Sequence, residues 1–183
     1  MLDSLPTVTI RVAVSGDAME IARCHIVAWR DTYRPIIAEE YLNNLSLEEH
    51  TKKWFANLQQ PQCHTFIAET DRRELIGFIS GGLERTGRAD YRGEIYAIYI
   101  LKSWRRRGVG RRLAARFSEA LLECQVTTLI VWALEGNECR HCYSAWGAHE
   151  IAMGPIKIGT QDLIEVAYGW SDTRELIESD GDA

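Results

Sequence analysis

The sequence predicts one α/β (α+β) domain over residues 1–183, with helices flanking a mixed central sheet of about seven strands. Two observations lead to this prediction. Segments with strand and helix periodicity follow each other in the order strand, two helices, three strands, helix, strand, helix, two strands. No internal repeat, low-complexity segment or long linker separates them, and 183 residues is the length of a single domain.

The first half contributes a strand, two helices and a hairpin. Residues 7–14 alternate β-branched side chains with others, as half-buried strands do. Apolar residues then recur at helical spacing over residues 21–29, and a second helix begins near Ser46, which precedes a glutamate by three positions. Residues 64–69 and 74–83 predict two strands joined by a polar turn.

The second half centres on residues 94–101, the strongest strand pattern in the chain. This segment is almost continuously apolar and aromatic, as expected of a central strand buried on both faces. The remaining predictions are a helix over residues 109–124, a strand over 127–134, a short helix over 137–146, and closing strands over 148–153 and 163–170. The total is about four helices. The core of the domain would span residues 7–170, with 171–183 as a short C-terminal tail.

Composition limits the classes of function. A net charge of −5 and a pI of about 5.6 argue against a nucleic-acid-binding surface, although a local basic segment can still receive a small anion. The five cysteines are odd in number and lie within apolar patterns, as reduced thiols of a cytoplasmic protein do. Residues 1–6 lack the features of a secretory signal, and no apolar run reaches the roughly 18 residues of a membrane span.

Residues 94–112 contain the clearest candidate binding site. Here the central strand leads into a glycine-containing turn, and a helix follows directly. The first turn of a helix leaves amide N–H groups unpaired, and together with the helix dipole these favour phosphate. Six arginines occur within twelve residues around this turn: Arg105, Arg106, Arg107, Arg111, Arg112 and Arg116. The segment predicts a pyrophosphate receptor. The alternative is a tight turn beside solvated arginines.

Two familiar phosphate loops are excluded. The dinucleotide fingerprint G-x-G-x-x-G requires a third glycine where this chain has Leu113, and the Gly-Lys-Ser/Thr of a P-loop is absent. Arg105, Gly108 and Gly110 instead fit the pattern Arg/Gln-x-x-Gly-x-Gly/Ala directly after a core strand. Tyr143 and Gly147 form a later Tyr-x-x-x-Gly.

On these motifs and on its element order, the sequence resembles the GNAT superfamily of N-acetyltransferases over most of its length. The resemblance implies acetyl-coenzyme A as co-substrate and a core strand that splays apart from its parallel neighbour. It also implies that the strand end binds pantetheine through main-chain groups and that the loop holds pyrophosphate through its amides. The coenzyme-binding residues would be Ile98, Tyr99, Ile100, Arg105, Arg106, Arg107, Gly108, Val109, Gly110, Arg111, Asn137 and Tyr143. Asn137 departs from the pattern, since it precedes Tyr143 by six residues rather than seven.

The resemblance also assigns catalytic roles. Tyr143 would protonate the departing thiolate, and a backbone N–H near Ile100 would polarise the thioester carbonyl. Strict alternation along the strand would put Glu94 on the same face as Tyr96, Ile98 and Ile100, where it could act as the base for the substrate ammonium. A water chain is the alternative to Glu94. Glu84 and Asp90 are further candidates nearby.

The acceptor region is less defined. The family builds its acceptor site from the first helices, so Trp29 and Tyr33 would line it, although both fit equally well as core aromatics. The Cys139-x-x-Cys142 pair lacks the second ligand pair that structural zinc requires, so we expect no metal.

The function expected from the sequence is acetyl transfer to a primary amine of a small molecule or peptide, by direct attack in a ternary complex. The alternative is a non-catalytic acyl-coenzyme-A-binding regulatory module. Neither nucleic acid nor membrane is expected as a partner. Homodimers are frequent in the family, so a homodimer is possible here.

Overall fold

The structure, a computed structural model, describes residues 6–178. The described chain forms seven strands and six α-helices around one sheet. The strands are β1 (Val8–Val12), β2 (Cys63–Thr70), β3 (Leu75–Leu83), β4 (Gly93–Ile100), β5 (Leu129–Leu134), β6 (His149–Ile158) and β7 (Gln161–Trp170). The helices are α1 (Ala18–Tyr33), α2 (Glu39–Asn43), α3 (Leu47–Asn57), α4 (Val109–Glu123), α5 (His141–Ala145) and α6 (Glu175–Glu178).

The strands follow the order β1-β2-β3-β4-β5-β7-β6 across the sheet. All neighbours are antiparallel except β4 and β5, which are parallel. Their pairing covers only Gly93, Glu94 and Ile95 against residues 129–131. Beyond that point both strands continue without bonding each other, so a gap opens in the middle of the sheet. The predicted mixed sheet with a splayed parallel pair is confirmed.

A β-bulge in β4 changes which side chains share a face. Ser80 of β3 lies opposite Ala97, whereas its neighbour Gly81 lies opposite Ile95, so Tyr96 has no partner of its own. An extra residue of this kind shifts the alternation of all residues that follow. The predicted common face for Glu94 with Ile98 and Ile100 is therefore wrong.

Packing on the two faces of the sheet confirms the effect of the bulge. Ile95, Ile98 and Ile100 pack into the core beneath α4, together with Phe117. On the opposite face, residues such as Ala97 pack against the α1 and α3 side. Glu94 precedes Ile95 and so points to this second face, on the same side as α1.

Local sequence explains where α3 begins, and tertiary packing orders the end of the described chain. Ser46 caps α3, because its hydroxyl accepts a hydrogen bond from the Glu49 N–H at 3.3 Å. Residues 171–178 do not behave as the tail predicted for 171–183. Thr173 donates its N–H to the Thr127 carbonyl, and Leu176 on α6 is fully buried against the α4 core. Residues 179–183 lie outside the described part of the chain.

Candidate active site

The turn between β4 and α4 presents a row of free amides. Gly108 caps α4 with φ 75°, and Arg106 also has a positive φ, 61°. The first helical hydrogen bond to the cap comes from Arg112, whose N–H donates to the Gly108 carbonyl at 3.1 Å. Within the described residues, the six amides of residues 106–111 have no acceptor. Such a row at a helix N-terminus can receive an anion, and the pyrophosphate contact of this turn stays a prediction.

Most of the arginine side chains around this turn serve the fold. Arg105 donates to the Ile100 carbonyl at 3.1 Å and to the Thr32 hydroxyl at 2.8 Å, tying the end of β4 to α1. Arg111 and Arg112 donate to main-chain carbonyls elsewhere. The remaining two residues of the loop, Arg106 and Arg107, are exposed beside the free amides. Their side chains therefore add positive charge beside these amides.

The edge of β4 that faces the gap carries free main-chain groups. Leu101 donates its N–H to the Ile76 carbonyl of β3 at 2.9 Å, which fixes the alternation of the antiparallel pair. Residues 97, 99 and 101 therefore bond β3, while the N–H groups of Ile98 and Ile100 point toward the gap. An extended chain could bond to them as an added strand would.

Tyr143 lies on α5 beside the gap and is 7% exposed. Its ring packs edge-on against Trp146 and Trp170 and at a tilt against Tyr168. Burial, with smaller contributions from nearby thiols and phenols, raises the pKa of the Tyr143 phenol well above its usual value. The hydroxyl consequently stays protonated at neutral pH, as a general acid must.

Asn137 takes part in the fold at the start of the segment that leads into α5. Its Oδ1 accepts a hydrogen bond from the Cys139 N–H at 2.9 Å, capping a single turn of 3-10 helix. The side chain is also close enough to Tyr33 to influence the pKa of that phenol. Asn137 is thus placed between α5 and α1, and its coenzyme contact stays a prediction.

Trp29 and Tyr33 meet Tyr99 on the α1 side of the sheet. The Trp29 Nε1 donates to the Tyr99 hydroxyl at 2.8 Å, and the Tyr33 hydroxyl lies 3.2 Å from the same atom. Tyr33 is buried and Trp29 partly so. We call these three residues the aromatic triad. They line the gap on the side opposite α5. Burial raises the pKa of both phenols, most strongly that of Tyr99.

The buried carboxylate of Glu94 is fully engaged by Arg85. It accepts hydrogen bonds from the Arg85 backbone N–H at 3.0 Å, from Nε at 3.2 Å and from Nη2 at 2.8 Å. Glu94 is 5% exposed, so removing this partner would leave a buried charge. The geometry makes Glu94 an anchor for the segment that follows β3.

The sequence of this chain is similar to those of known proteins. The sequence pattern of the acetyltransferase (GNAT) family matches residues 26–147. This chain belongs to the GNAT family. It is 36% identical over 169 residues to a Bacillus subtilis (strain 168) protein described as the uncharacterized N-acetyltransferase YuaI, with 92% of this chain and 96% of the relative covered.

Solved GNAT structures share the fold. The PaiA N-acetyltransferase from Thermoplasma acidophilum, in complex with coenzyme A, superposes with a TM-score of 0.64 at 16% identity, covering 87% of this chain and 98% of that one. An N-acetyltransferase from Staphylococcus aureus Mu50 gives a TM-score of 0.70 at 19% identity, covering 91% and 99%. The family supports N-acetyl transfer in general, and the solved structures show the fold.

Two side chains on the α1 side of the sheet belong to none of the sequence motifs. Glu165 on β7 and Trp132 on β5 lie on the α1 side of the sheet, beyond the gap from Glu94. The signal for Glu165 was a single acidic residue inside an otherwise apolar strand, residues 163–170. Burial and the charge of Glu94 raise the pKa of Glu165 above its usual value.

His25 is the histidine closest to the aromatic triad. Its ring centroid lies 4.9 Å from that of Tyr99, and its Nδ1 accepts a hydrogen bond from the Trp54 Nε1 at 3.2 Å. Burial, assisted by His50, lowers the pKa of His25 to about 3. The imidazole is consequently neutral and too weak a base to take a proton from an ammonium group.

Residues 6–178 contain no group of three or more His, Cys, Asp or Glu side chains placed to hold a metal ion. None of the helices in the described range combines the length and apolar character of a membrane span.

Proposed function

We propose that this GNAT protein transfers an acetyl group from acetyl-coenzyme A to a primary amine by direct attack in a ternary complex. The observation that carries the proposal is the row of six free amides at residues 106–111, next to the gap between β4 and β5. A diphosphate suits the amides, and an extended thioester arm suits the open edge of β4. Coenzyme A joins these two chemical features in one molecule.

In this proposal the turn binds the diphosphate of the coenzyme, and the edge of β4 orients its thioester arm. The amides of residues 106–111 and the α4 dipole hold the diphosphate, while Arg106 and Arg107 add charge at the rim. The free N–H groups of Ile98 and Ile100 hold the arm along β4. One of them is placed to donate to the carbonyl oxygen as negative charge develops on it, which is the largest single contribution in many acyl transfers.

Bound acetyl-coenzyme A supplies an activated carbonyl and a thiolate leaving group. Tyr143 holds its phenolic proton on the gap side of α5 and gives it to that thiolate. Burial also raises the pKa of Cys142 to about 12, so this thiol is not a nucleophile at neutral pH. This supports direct attack by the amine rather than an acyl-cysteine route.

Binding and turnover together test the proposal. Calorimetry should show coenzyme A binding, and thiol release from acetyl-coenzyme A should accelerate with at least one member of a panel of primary amines, with the acetylated product seen by mass spectrometry. Double-reciprocal plots of initial rate at several amine concentrations should give intersecting lines, as a ternary complex requires. The Cys139→Ser variant should keep the wild-type rate. Parallel lines with an inactive Cys139→Ser variant would refute direct attack.

A coenzyme-binding module without turnover is the second candidate, favoured by the ion pair that engages Glu94. Tight coenzyme binding with no thiol release for any amine would support the module. We also propose a cytoplasmic location, because all five cysteines are free thiols.

A further inference from the structure

Glu165 lies on the acceptor side of the sheet. It pairs with Leu134 of β5 on one side and with Gly154 of β6 on the other. Its neighbour Val166 points into the core beneath α4, so Glu165 points to the opposite face. On that face Leu163 and Leu134 pack against Tyr33 of the aromatic triad. The carboxylate therefore belongs to the same side of the sheet as Trp29, Tyr33 and Glu94.

The indole of Trp132 extends over β7 toward the strand position of Glu165. Trp132 pairs with Ala167 on β7 and shares the face of Leu134. Its six-membered ring reaches across β7 to within 3.9 Å of where a Cβ on Gly154 would stand, and Gly154 is the partner of Glu165. A carboxylate next to an aromatic ring is a combination that attracts an ammonium group.

The two carboxylates on this face, those of Glu94 and Glu165, differ in their hydrogen-bond partners. Glu94 is bonded by three donors of Arg85, so accepting a proton would cost it that ion pair. Glu165 is partly buried, and within residues 6–178 no side chain or amide bonds it. β5 and β6 present uncharged groups here, such as Trp132. Burial raises the pKa of Glu165 most, and the charge of Glu94 adds to that effect.

We propose that Glu165, and not Glu94, binds the ammonium of the acceptor and takes its proton, with Trp132 beside it. This inference rests on the proposed function, because it names the proton acceptor of that reaction. Glu94 is then a positioning residue whose charge keeps Glu165 basic.

The proton balance closes without a further reactant. The substrate ammonium gives one proton to the Glu165 carboxylate and becomes a neutral amine. Its lone pair forms the C–N bond as the C–S bond breaks, and the thiolate takes the Tyr143 proton. The surplus proton on the new amide nitrogen returns to the Tyr143 phenolate, and Glu165 releases its proton to solvent.

The test compares Glu165→Gln with Glu94→Gln and with the control Glu123→Gln. Glu123 is exposed at the end of α4 on the other face. Thiol release with the best amine of the panel is measured from pH 5.5 to 9.5, with coenzyme A affinity measured by calorimetry alongside. Glu165→Gln should lower kcat/KM by about 100-fold or more and remove the acidic limb of the profile. Its coenzyme A affinity should equal that of wild type, as should every property of Glu123→Gln.

Two kinetic results would overturn the inference while the proposed function stands. One is a Glu165→Gln variant with the wild-type kcat/KM, and the other is an acidic limb that disappears only in Glu94→Gln. A wild-type protein that releases no thiol with any amine would instead overturn the proposed function, and the inference with it. Loss of coenzyme A affinity in Glu165→Gln would show a structural role and also count against the inference.

Discussion

The β4–α4 turn and the acceptor face of the sheet are built on different principles. The turn presents main-chain amides for the proposed ligand, and their positions follow from a glycine with φ 75° and the start of a helix. The acceptor face is formed by side chains from α1, β4, β5 and β7, brought together only by the fold. This difference explains why a short sequence motif identifies the proposed coenzyme site, whereas no motif identifies the proposed acceptor site.

The largest expected effect tests the main-chain half of the comparison. Gly108→Val should reduce coenzyme A affinity by at least about 100-fold, because a β-branched residue at φ 75° strains the turn and displaces its amides. Gly87→Val is a matched control, since Gly87 has φ 79°, and neither glycine has an atom within 4 Å of an added Cβ. Both variants should lose similar stability by thermal melting, and only Gly108→Val should lose binding in calorimetry. Equal affinity in the two variants would contradict the amide receptor.

A smaller effect is expected at the junction of the two regions, where Tyr143 stands. Tyr143→Phe should lower kcat by about 10- to 100-fold with coenzyme A affinity unchanged, since a thiolate leaves tolerably well without a proton. Tyr91→Phe removes a phenol away from the gap and should leave kcat unchanged. Rapid-quench measurement of the chemical step distinguishes this from slow product release. An unaltered chemical step in Tyr143→Phe would remove the tyrosine from the mechanism.

The ion pair of the acceptor face should matter more for stability than for chemistry. Glu94→Gln replaces a buried acceptor of three hydrogen bonds by an amide that cannot satisfy them all, at a cost of about 1–2 kcal/mol in the free energy of unfolding. We expect kcat/KM to fall by less than about 10-fold, because the residue does not take the proton. Urea denaturation and steady-state rates measure the two quantities. A large rate loss without a stability loss would restore Glu94 as the base.

The smallest effect is a gain in stability at Glu165. Its pKa in the folded state is raised above the ordinary 4.5, so the stability that it contributes is fully present below pH 4.5 and is lost as the pH rises through the folded value. Glu165→Gln should therefore melt about 2 °C higher than wild type at pH 8 and no higher at pH 4. A melting temperature that falls at pH 8 would indicate that Glu165 supports the fold.

Features that depend on a few neighbouring residues could be predicted from the sequence. The strand order along the chain, the glycine turn and the Ser46 cap each follow from a few consecutive residues, and the structure contains all three. The bulge at Tyr96 could not be predicted, because it is defined by the register of β3 against β4. The alternation argument for Glu94 failed for that reason.

The remaining differences also arise from long-range packing. The predicted C-terminal tail, residues 171–183, contains Leu176, yet α4 provides an apolar surface that buries this residue completely. The predicted strand over residues 148–153 is shorter than β6, which continues to Ile158. An edge strand bonds a neighbour on one side only, and so it tolerates Pro155. Glu165 was overlooked since its partners come from other strands.

The unpaired residue in β4 also makes the length of this strand a constraint in its own right. Ile95 and Ala97 already point to opposite faces, so deleting Tyr96 would join them in simple alternation and keep Tyr99 in the aromatic triad. The bend that the bulge adds would be lost directly after Ile95, where the pairing with β5 ends. A change of one position in chain length would thus narrow the gap that the proposed reaction needs, while leaving every motif intact.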